Sequence, residues 1–309
     1  GSNFKILATY APALDTNQMT LSTTITDEPY SYSNGTSVKN WYSGYRGTVT
    51  VRTAIEQSMN ICAVKAITEI TPELGLEYCE KLGISTLIER EERNGKVYTD
   101  AVQALALGGI TDGVYNFEIA AAFATIANKG VYNEPILYTK ILDHDGNVLL
   151  ENTGQNSYQA LKESTASLLT DAMEGVITRG TGTEARLYNM PVSGKTGTTS
   201  SDKDVWFCGY TPYYTCAVWL GYDDNKSMTG EWLSHMTLWK NIMNRVHEGY
   251  EYKDFDMTGV KQITVCTLTG KLATSSCPSR TEYVSDGDAP TQYCAGHYVA
   301  PAPSDDDDT

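Results

Sequence analysis

Gly1-Ser2-Asn3-Phe4-Lys5 opens the chain with a hydroxyl and an amine three residues apart, leading into the apolar run that continues to Tyr10. On a helix those two side chains share a face, so Lys5 can take a proton from the Ser2 hydroxyl. The helix N-terminus also favours negative charge developing on that oxygen. Two more short motifs follow in order: Ser58-Met59-Asn60, the one S-x-N of the chain, and Lys195-Thr196-Gly197-Thr198, its one K-T-G. A serine enzyme that activates its nucleophile with lysine rather than histidine needs this set, in this order.

Each motif alone is weak. S-x-x-K recurs at Ser200–Lys203, in a polar turn where solvent keeps an ammonium protonated, and that second match is set aside. A terminal Gly-Ser pair is also what a cloning scar leaves, but Lys5 and the apolar helix behind it fall where a nucleophile needs them. A lysine base must be neutral near pH 7, which requires burial or a neighbouring cation, and Lys195 is the candidate for that cation. Ser58 can relay a proton towards a leaving amine, and the Asn60 carboxamide can hold a peptide amide; in isolation the pair would read as a helix cap. Lys195, Thr196 and Thr198 can bind a terminal carboxylate. Gly197 admits close approach of a substrate backbone, and the backbone N–H groups of Ser2 and Thr198 can form an oxyanion hole. Without its companions the K-T-G stretch is an ordinary Thr-rich edge strand. Competing sets are missing: there is no G-x-S-x-G, H-E-x-x-H or G-x-x-x-x-G-K-[ST], and the four histidines are scattered. Gly180-Thr181-Gly182-Thr183 reads as a tight turn rather than a phosphate loop.

The 309 residues carry a net charge of −15, four of those charges on Asp305 to Asp308, which argues against nucleic acid as a partner. No apolar run approaches a membrane span; Ala120 to Ala127 comes nearest and is too short. The chain shows no signal peptide and does not start with Met, so a processed or excised piece is expected. Periodicity predicts a buried helix over 4–10 that Pro12 kinks or ends, a helix from Thr50 to Gln57 and another from Ile61 towards Ile70. Helical spacing is read from Leu74 to Asn128, a hairpin at Asp145-Gly146, and a helix over 164–177. Three adjacent strands span 192–222, with a helix marked by Leu238, Ile242 and Val246 lying on them. Seven cysteines include Cys208 and Cys216, read as core side chains, and a late group, Cys266, Cys277 and Cys294 with His297. For that group a disulfide, half of a metal site and plain thiols all stay open. No metal and no cofactor are assigned to the catalytic set.

From these residues outward the chain resembles the transpeptidase domain of class A, bifunctional penicillin-binding proteins. Gly1 to Lys5 is similar to that family's G-S-T-F-K, and Arg52 to Val64 to its R-x-A-x-x-x-S-x-N-x-x-A-V block. Leu107-Gly108-Gly109, Phe117 to Gly130, Gly180-Thr181-Gly182, Lys195 to Thr199 and Asp204 to Pro212 extend the likeness. The resemblance implies a three-layer α/β fold, a mainly antiparallel sheet with helices on both faces and a helical subdomain holding the nucleophile helix. It implies a transpeptidase domain over 1–250, a small cysteine-bearing extension over 251–300 and a disordered acidic tail over 301–309. The expected reaction is D,D-transpeptidation on the outer face of the bacterial plasma membrane: Ser2 attacks the D-Ala-D-Ala bond of a peptidoglycan stem peptide, and β-lactams acylate Ser2 as substrate mimics. Members of the family also carry an N-terminal membrane anchor and a glycosyltransferase domain, neither of which is among these residues. The alternatives are a D,D-carboxypeptidase, a serine β-lactamase, for which no E-x-x-L-N element is present, and a non-catalytic β-lactam sensor or cell-wall-binding module.

Overall fold

The computed structural model describes residues 1–152, 154–228 and 234–297; the acidic tail expected over 301–309 lies outside them. Every residue from Asn3 to Leu14 is buried, so the segment that carries the nucleophile motif is the centre of a helical cluster rather than a surface arm. Lys5–Tyr10 winds as a π-helix and Ala11–Asp15 continues it as α1. Pro12 was expected to kink or end the helix; the π-helix does end at Tyr10, and the chain goes on as α1 with Pro12 in its first turn.

Around this core lie α2 (Val51–Glu56), capped by the Thr50 side chain accepting from the Thr53 N–H, and α3 (Asn60–Ile70). α4 (Pro72–Lys81) begins on the proline that prevents α3 from continuing. The continuous helical spacing read over 74–128 is corrected by the structure. A hairpin pairs Glu91–Arg93 with Lys96–Tyr98, a 3-10 turn spans Gln103–Leu107, and α5 covers only Asn116–Ala127. The hairpin turns on Asn94 and Gly95, both at positive φ, an Asn-Gly signal that outweighs scattered apolar spacing. The second hairpin, Lys140–Leu142 with Val148–Glu151, forms around Asp145-Gly146 as expected. α6 (Glu163–Arg179) then crosses the molecule to the sheet.

The sheet is the antiparallel triplet Ser193–Thr198, Asp204–Tyr210 and Thr215–Gly221, in sequence order. Adjacent residues of its central strand point to opposite faces. Phe207 meets Trp239 edge-on at 4.9 Å, and its neighbour Cys208 accepts a hydrogen bond from Asn3 Nδ2 on the opposite side. Helix α7 (His235–Val246) and the nucleophile segment therefore cover opposite faces, which is the layered arrangement expected. The face that α7 buries is another correction. Leu238, Ile242 and Val246 are 43%, 38% and 40% exposed, while Trp239 and Met243 are buried. Both stripes have i, i+4 spacing; the larger Trp239 takes the sheet and donates its indole N–H to the Cys216 carbonyl at 2.9 Å. Cys208 and Cys216 are free thiols at the sheet; Cys208 is a core side chain, as read, whereas Cys216 is only half-buried.

Beyond α7, Val260–Cys266 pairs with Ser279–Ser285 as a separate two-stranded ribbon. It is tied to the helical cluster by one buried ionic group. Arg52 of α2 donates to both Glu282 oxygens at 2.8 and 2.7 Å and also pairs with Asp171 of α6. No helix among the described residues is long and apolar enough to cross a membrane.

Candidate active site

The three motifs converge on one cleft. Ser2, Ser58, Asn60, Thr196 and Thr198 line an opening of about 580 Å³, with Trp41, Thr181 and His235 on its rim. Lys5 and Lys195 lie in its floor and are wholly buried. Three elements supply these groups: the helical cluster brings Ser2 and Lys5, the α2–α3 junction brings Ser58 and Asn60, and the first sheet strand brings Lys195 to Thr198.

Ser58 is the hub. Its hydroxyl lies 3.0 Å from Lys5 Nζ and 2.8 Å from Lys195 Nζ. Lys5 also donates to the Ser58 carbonyl and to Asn60 Oδ1, each at 2.6 Å. Those two oxygens can only accept. As an ammonium, Lys5 donates all three bonds; as a neutral amine it spends both N–H groups there, and its lone pair faces the Ser58 hydroxyl. Lys195 donates to the Thr196 carbonyl at 3.0 Å and to Ser58 Oγ. A proton can thus pass between the two amines through one hydroxyl. Ser58 is held at φ +50°, a conformation that costs a non-glycine residue roughly 1 kcal/mol and recurs at functional sites. The strain turns the chain between α2 and α3 so that carbonyl, hydroxyl and carboxamide all face Lys5. Asn40 fixes the turn by accepting the backbone N–H of Asn60 at 2.9 Å.

The electrostatics follow from burial without counter-charge. Desolvation, reinforced by the neighbouring Lys195, holds the Lys5 amine well below the usual lysine range. Burial likewise brings Lys195 down to about 7. No carboxylate comes within ion-pair distance of either amine among the described residues.

Two details differ from the sequence-based expectation. Among the described residues no hydrogen bond reaches the Ser2 hydroxyl, and the Lys5 amine rests on Ser58 and Asn60 instead. Gly197 was expected to open the strand to substrate, but its bare side faces inward. A Cβ there would sit 3.1 Å from Trp206 Cβ and 3.2 Å from Asn3 Nδ2. Gly197 therefore lets the nucleophile segment lie against the sheet. The backbone N of Thr198 borders the residue before the nucleophile: a Cβ built at Gly1 would be 3.4 Å from it. The Thr198 backbone thus runs against the residue that precedes Ser2.

The second S-x-x-K does not assemble. Ser200 lines the cleft, yet no lysine amine hydrogen-bonds to it among the described residues. Sequence reasoning missed Asn40, which positions Asn60, and Thr181, whose hydroxyl lies 2.8 Å from that of Thr196. Thr181 sits in the Gly180-Thr181-Gly182 stretch, so the family block carried a usable signal. Asn40 lies in a Ser/Asn/Tyr-rich loop that carries none.

Comparison with known proteins runs parallel to this geometry. Residues 1–244 match the family described as penicillin binding protein transpeptidase domain. Residues 257–298 match the family described as penicillin-binding protein 1A, C-terminal domain. Penicillin-binding protein 1A of Clostridium perfringens is 34% identical over 312 residues, covering 96% of this chain and 37% of that relative. The crystal structure of penicillin-binding protein 1A from Haemophilus influenzae is similar with a TM-score of 0.78 at 24% identity, over 95% of this chain and 48% of that one. The PonA1 protein from Mycobacterium tuberculosis, in complex with penicillin V, is similar with a TM-score of 0.69 at 24% identity, over 83% of this chain and 71% of that one. The two solved structures share the fold. The chain spans little more than a third of the length of the first curated relatives.

Proposed function

The chain belongs to the penicillin-binding protein transpeptidase family, and on that premise we propose that it is a serine D,D-transpeptidase with Ser2 as nucleophile. Lys5 is the general base and Ser58 the proton relay between Lys5 and Lys195. Asn60 holds the amide of the donor peptide. Lys195, Thr196 and Thr198 receive the carboxylate of its terminal D-Ala, and the N–H groups of Ser2 and Thr198 receive the developing oxyanion. The observation that supports this assignment is the pair of buried amines sharing the Ser58 hydroxyl in the cleft that Ser2 lines.

The chemistry follows from that pair. Neutral Lys5, its lone pair turned from the Ser58 hydroxyl to Ser2 as substrate binds, takes the Ser2 proton as Oγ attacks the penultimate carbonyl, and two backbone N–H groups stabilise the tetrahedral oxyanion. Apo contacts tighten as substrate fills the cleft, so the free Ser2 hydroxyl is compatible with this step. The proton moves through Ser58 to the departing D-Ala amine, leaving an acyl-enzyme. An amine of a neighbouring stem peptide then attacks the ester. A β-lactam enters by the same route, but its opened ring stays attached. The domain division that goes with this reading is a transpeptidase unit over 1–250 and a small C-terminal unit over 251–300, working outside the cytoplasmic membrane.

The test is mass spectrometry after benzylpenicillin treatment, followed by peptide mapping. The penicilloyl adduct is expected on Ser2. An adduct on Ser200, or on no serine, overturns the assignment. Incubation with a stem-peptide donor and an amine acceptor then separates transpeptidation from hydrolysis alone, which would mark a carboxypeptidase.

A further inference from the structure

Outside the cleft, the fold gathers four metal-ligating side chains that the proposed reaction does not use. Cys266, Cys277, Cys294 and His297 place three sulfurs and one ring nitrogen within 4.8 Å of one another. His297 Nε2 lies 3.1 Å from Cys266 Sγ and 3.3 Å from Cys294 Sγ. A tetrahedral zinc site with Zn–S near 2.3 Å and Zn–N near 2.0 Å has ligand-to-ligand edges of about 3.5–3.8 Å. All four atoms reach a common centre with movements of about an ångström. We propose that Cys266, Cys277, Cys294 and His297 form a structural zinc site that closes the C-terminal unit.

Three features of the chain support a metal over a disulfide. The first is stoichiometry: a bond between any two of the sulfurs leaves the third sulfur and the imidazole outside it, whereas a metal uses all four groups. The second is the surroundings of the sulfurs. Cys277 accepts the Thr274 N–H at 3.4 Å, and the Cys266 and Cys294 sulfurs both face the same His297 ring nitrogen. Gly296 stands at φ +91°, which lets the Cys294-Ala-Gly-His297 turn double back so that sulfur and ring point the same way. The Thr274 N–H orients the Cys277 sulfur as an outer-shell donor to a metal ligand does. The third is the small apolar core of the unit itself. Among the described residues over 257–297 the buried apolar side chains are Val265, Cys266, Val284 and Cys294, two of which are ligands. A two-stranded ribbon with so little apolar burial needs a staple. An S₃N tetrahedron suits zinc among the common divalent ions.

The wide spacing in sequence is closed by the ribbon. Cys266 ends one strand and Cys277 precedes the other. The Cys294 N–H donates to the Leu272 carbonyl at 2.8 Å, which brings the last turn beside them. Through Glu282 on the second strand, the same unit holds Arg52 of the helix that leads to Ser58.

The unmutated chain, prepared under reducing conditions and dialysed, is expected to retain one zinc per molecule by elemental analysis. Replacement with Co(II) should give a thiolate-to-metal charge-transfer band together with the visible bands of a tetrahedral ion. Alkylation with peptide mapping should modify Cys266, Cys277 and Cys294 only after a chelator is added. The Cys294→Ser variant should lose most of the charge-transfer intensity, while Cys216→Ser keeps it. Retention of iron in place of zinc, a disulfide-linked peptide joining any two of the three cysteines, or alkylation indifferent to chelator would each overturn the site. The measurements on the unmutated chain decide the matter even if the Cys294 variant fails to fold.

Discussion

Two groups of buried cations in this molecule are treated in opposite ways. Lys5 and Lys195 sit in the cleft floor with no carboxylate in reach, and both amines are pushed towards neutrality. Arg52, almost as deeply buried, is met by Glu282, Asp171 and Glu56, the last of which is shared with Arg179 and Arg280. The two groups are joined in sequence: α2 carries Arg52 and Glu56 and runs directly into Ser58. Burial that is compensated yields a fixed charge and a rigid helix. Burial left uncompensated yields an amine that can take up and release a proton near neutral pH, at a cost in stability that the compensated group offsets from six residues away.

The largest test of this contrast removes an uncompensated charge. Lys5→Met should lower the rate of Ser2 penicilloylation by about 10²–10⁴, the usual worth of a positioned base. It should cost no more than about 1–3 kcal/mol, the range for leaving the Ser58 and Asn60 acceptors without their donor, because no counter-ion is stranded. The acylation rate and the thermal midpoint of the same sample check both halves. A variant that unfolds would mean that Lys5 is structurally compensated after all, and the contrast would fail.

Removing a compensating carboxylate should do the reverse. Glu282→Ala leaves Arg52 buried against Asp171 and Glu56 alone, at an expected cost of about 3 kcal/mol, the lower end for breaking a buried pair. Denaturant midpoints measure it. Acylation should fall less than in Lys5→Met, since Ser58 is reached only through α2. A loss under about 1 kcal/mol would show that the ribbon does not anchor that helix.

The two groups also differ in how far the sequence discloses them. Ser2, Lys5, Ser58, Asn60 and Lys195 are legible because their chemistry requires fixed short spacings, and short spacings survive in a linear text. Glu282 lies 230 residues from Arg52, and neither has a local pattern to give it away. Asn40 is unmarked for the same reason. The Cys266–His297 group falls between: its members are visible, but the 4.8 Å that unites them comes from the ribbon. On the fold side, the three strands over 193–221 and α6 follow from local periodicity. The face of α7 does not, because two stripes compete and only the partner surface decides between them. The over-read helix at 82–115 is a case where an Asn-Gly turn should have outweighed apolar spacing.

A pH series separates the two groups as well. Lys195 folded has a pKa near 7, whereas an unfolded lysine keeps its proton to about 10.4. Below 7 the folded amine is charged and can hold a carboxylate; above 7 that hold is lost, by about tenfold per pH unit. The acylation profile should therefore fall on its alkaline side, with Lys195→Arg shifting that limb upward. Stability should move the other way. Between pH 7 and about 10 the unfolded chain binds more protons at this residue than the folded one, so unfolding becomes more costly as pH rises. An activity limb and a stability curve that rise together would refute the assignment of both to Lys195.

The smallest expected effect belongs to Lys65, a cation of the same helical cluster that is neither wholly buried nor uncompensated. It bonds Glu28 at 2.7 Å and the Thr26 carbonyl at 2.8 Å, with its side chain 20% exposed and that of Glu28 56% exposed. Solvent screens such a pair, so Lys65→Ala should cost under about 1 kcal/mol and leave penicilloylation of Ser2 unchanged. Salt titration gives the sharper readout: the Lys65 contribution should shrink as ionic strength rises, whereas that of Glu282 should not, because the Debye screening that reaches an exposed pair does not reach Arg52. If both contributions respond to salt alike, burial is not what distinguishes the cations of this protein, and the account of the cleft amines loses its physical basis.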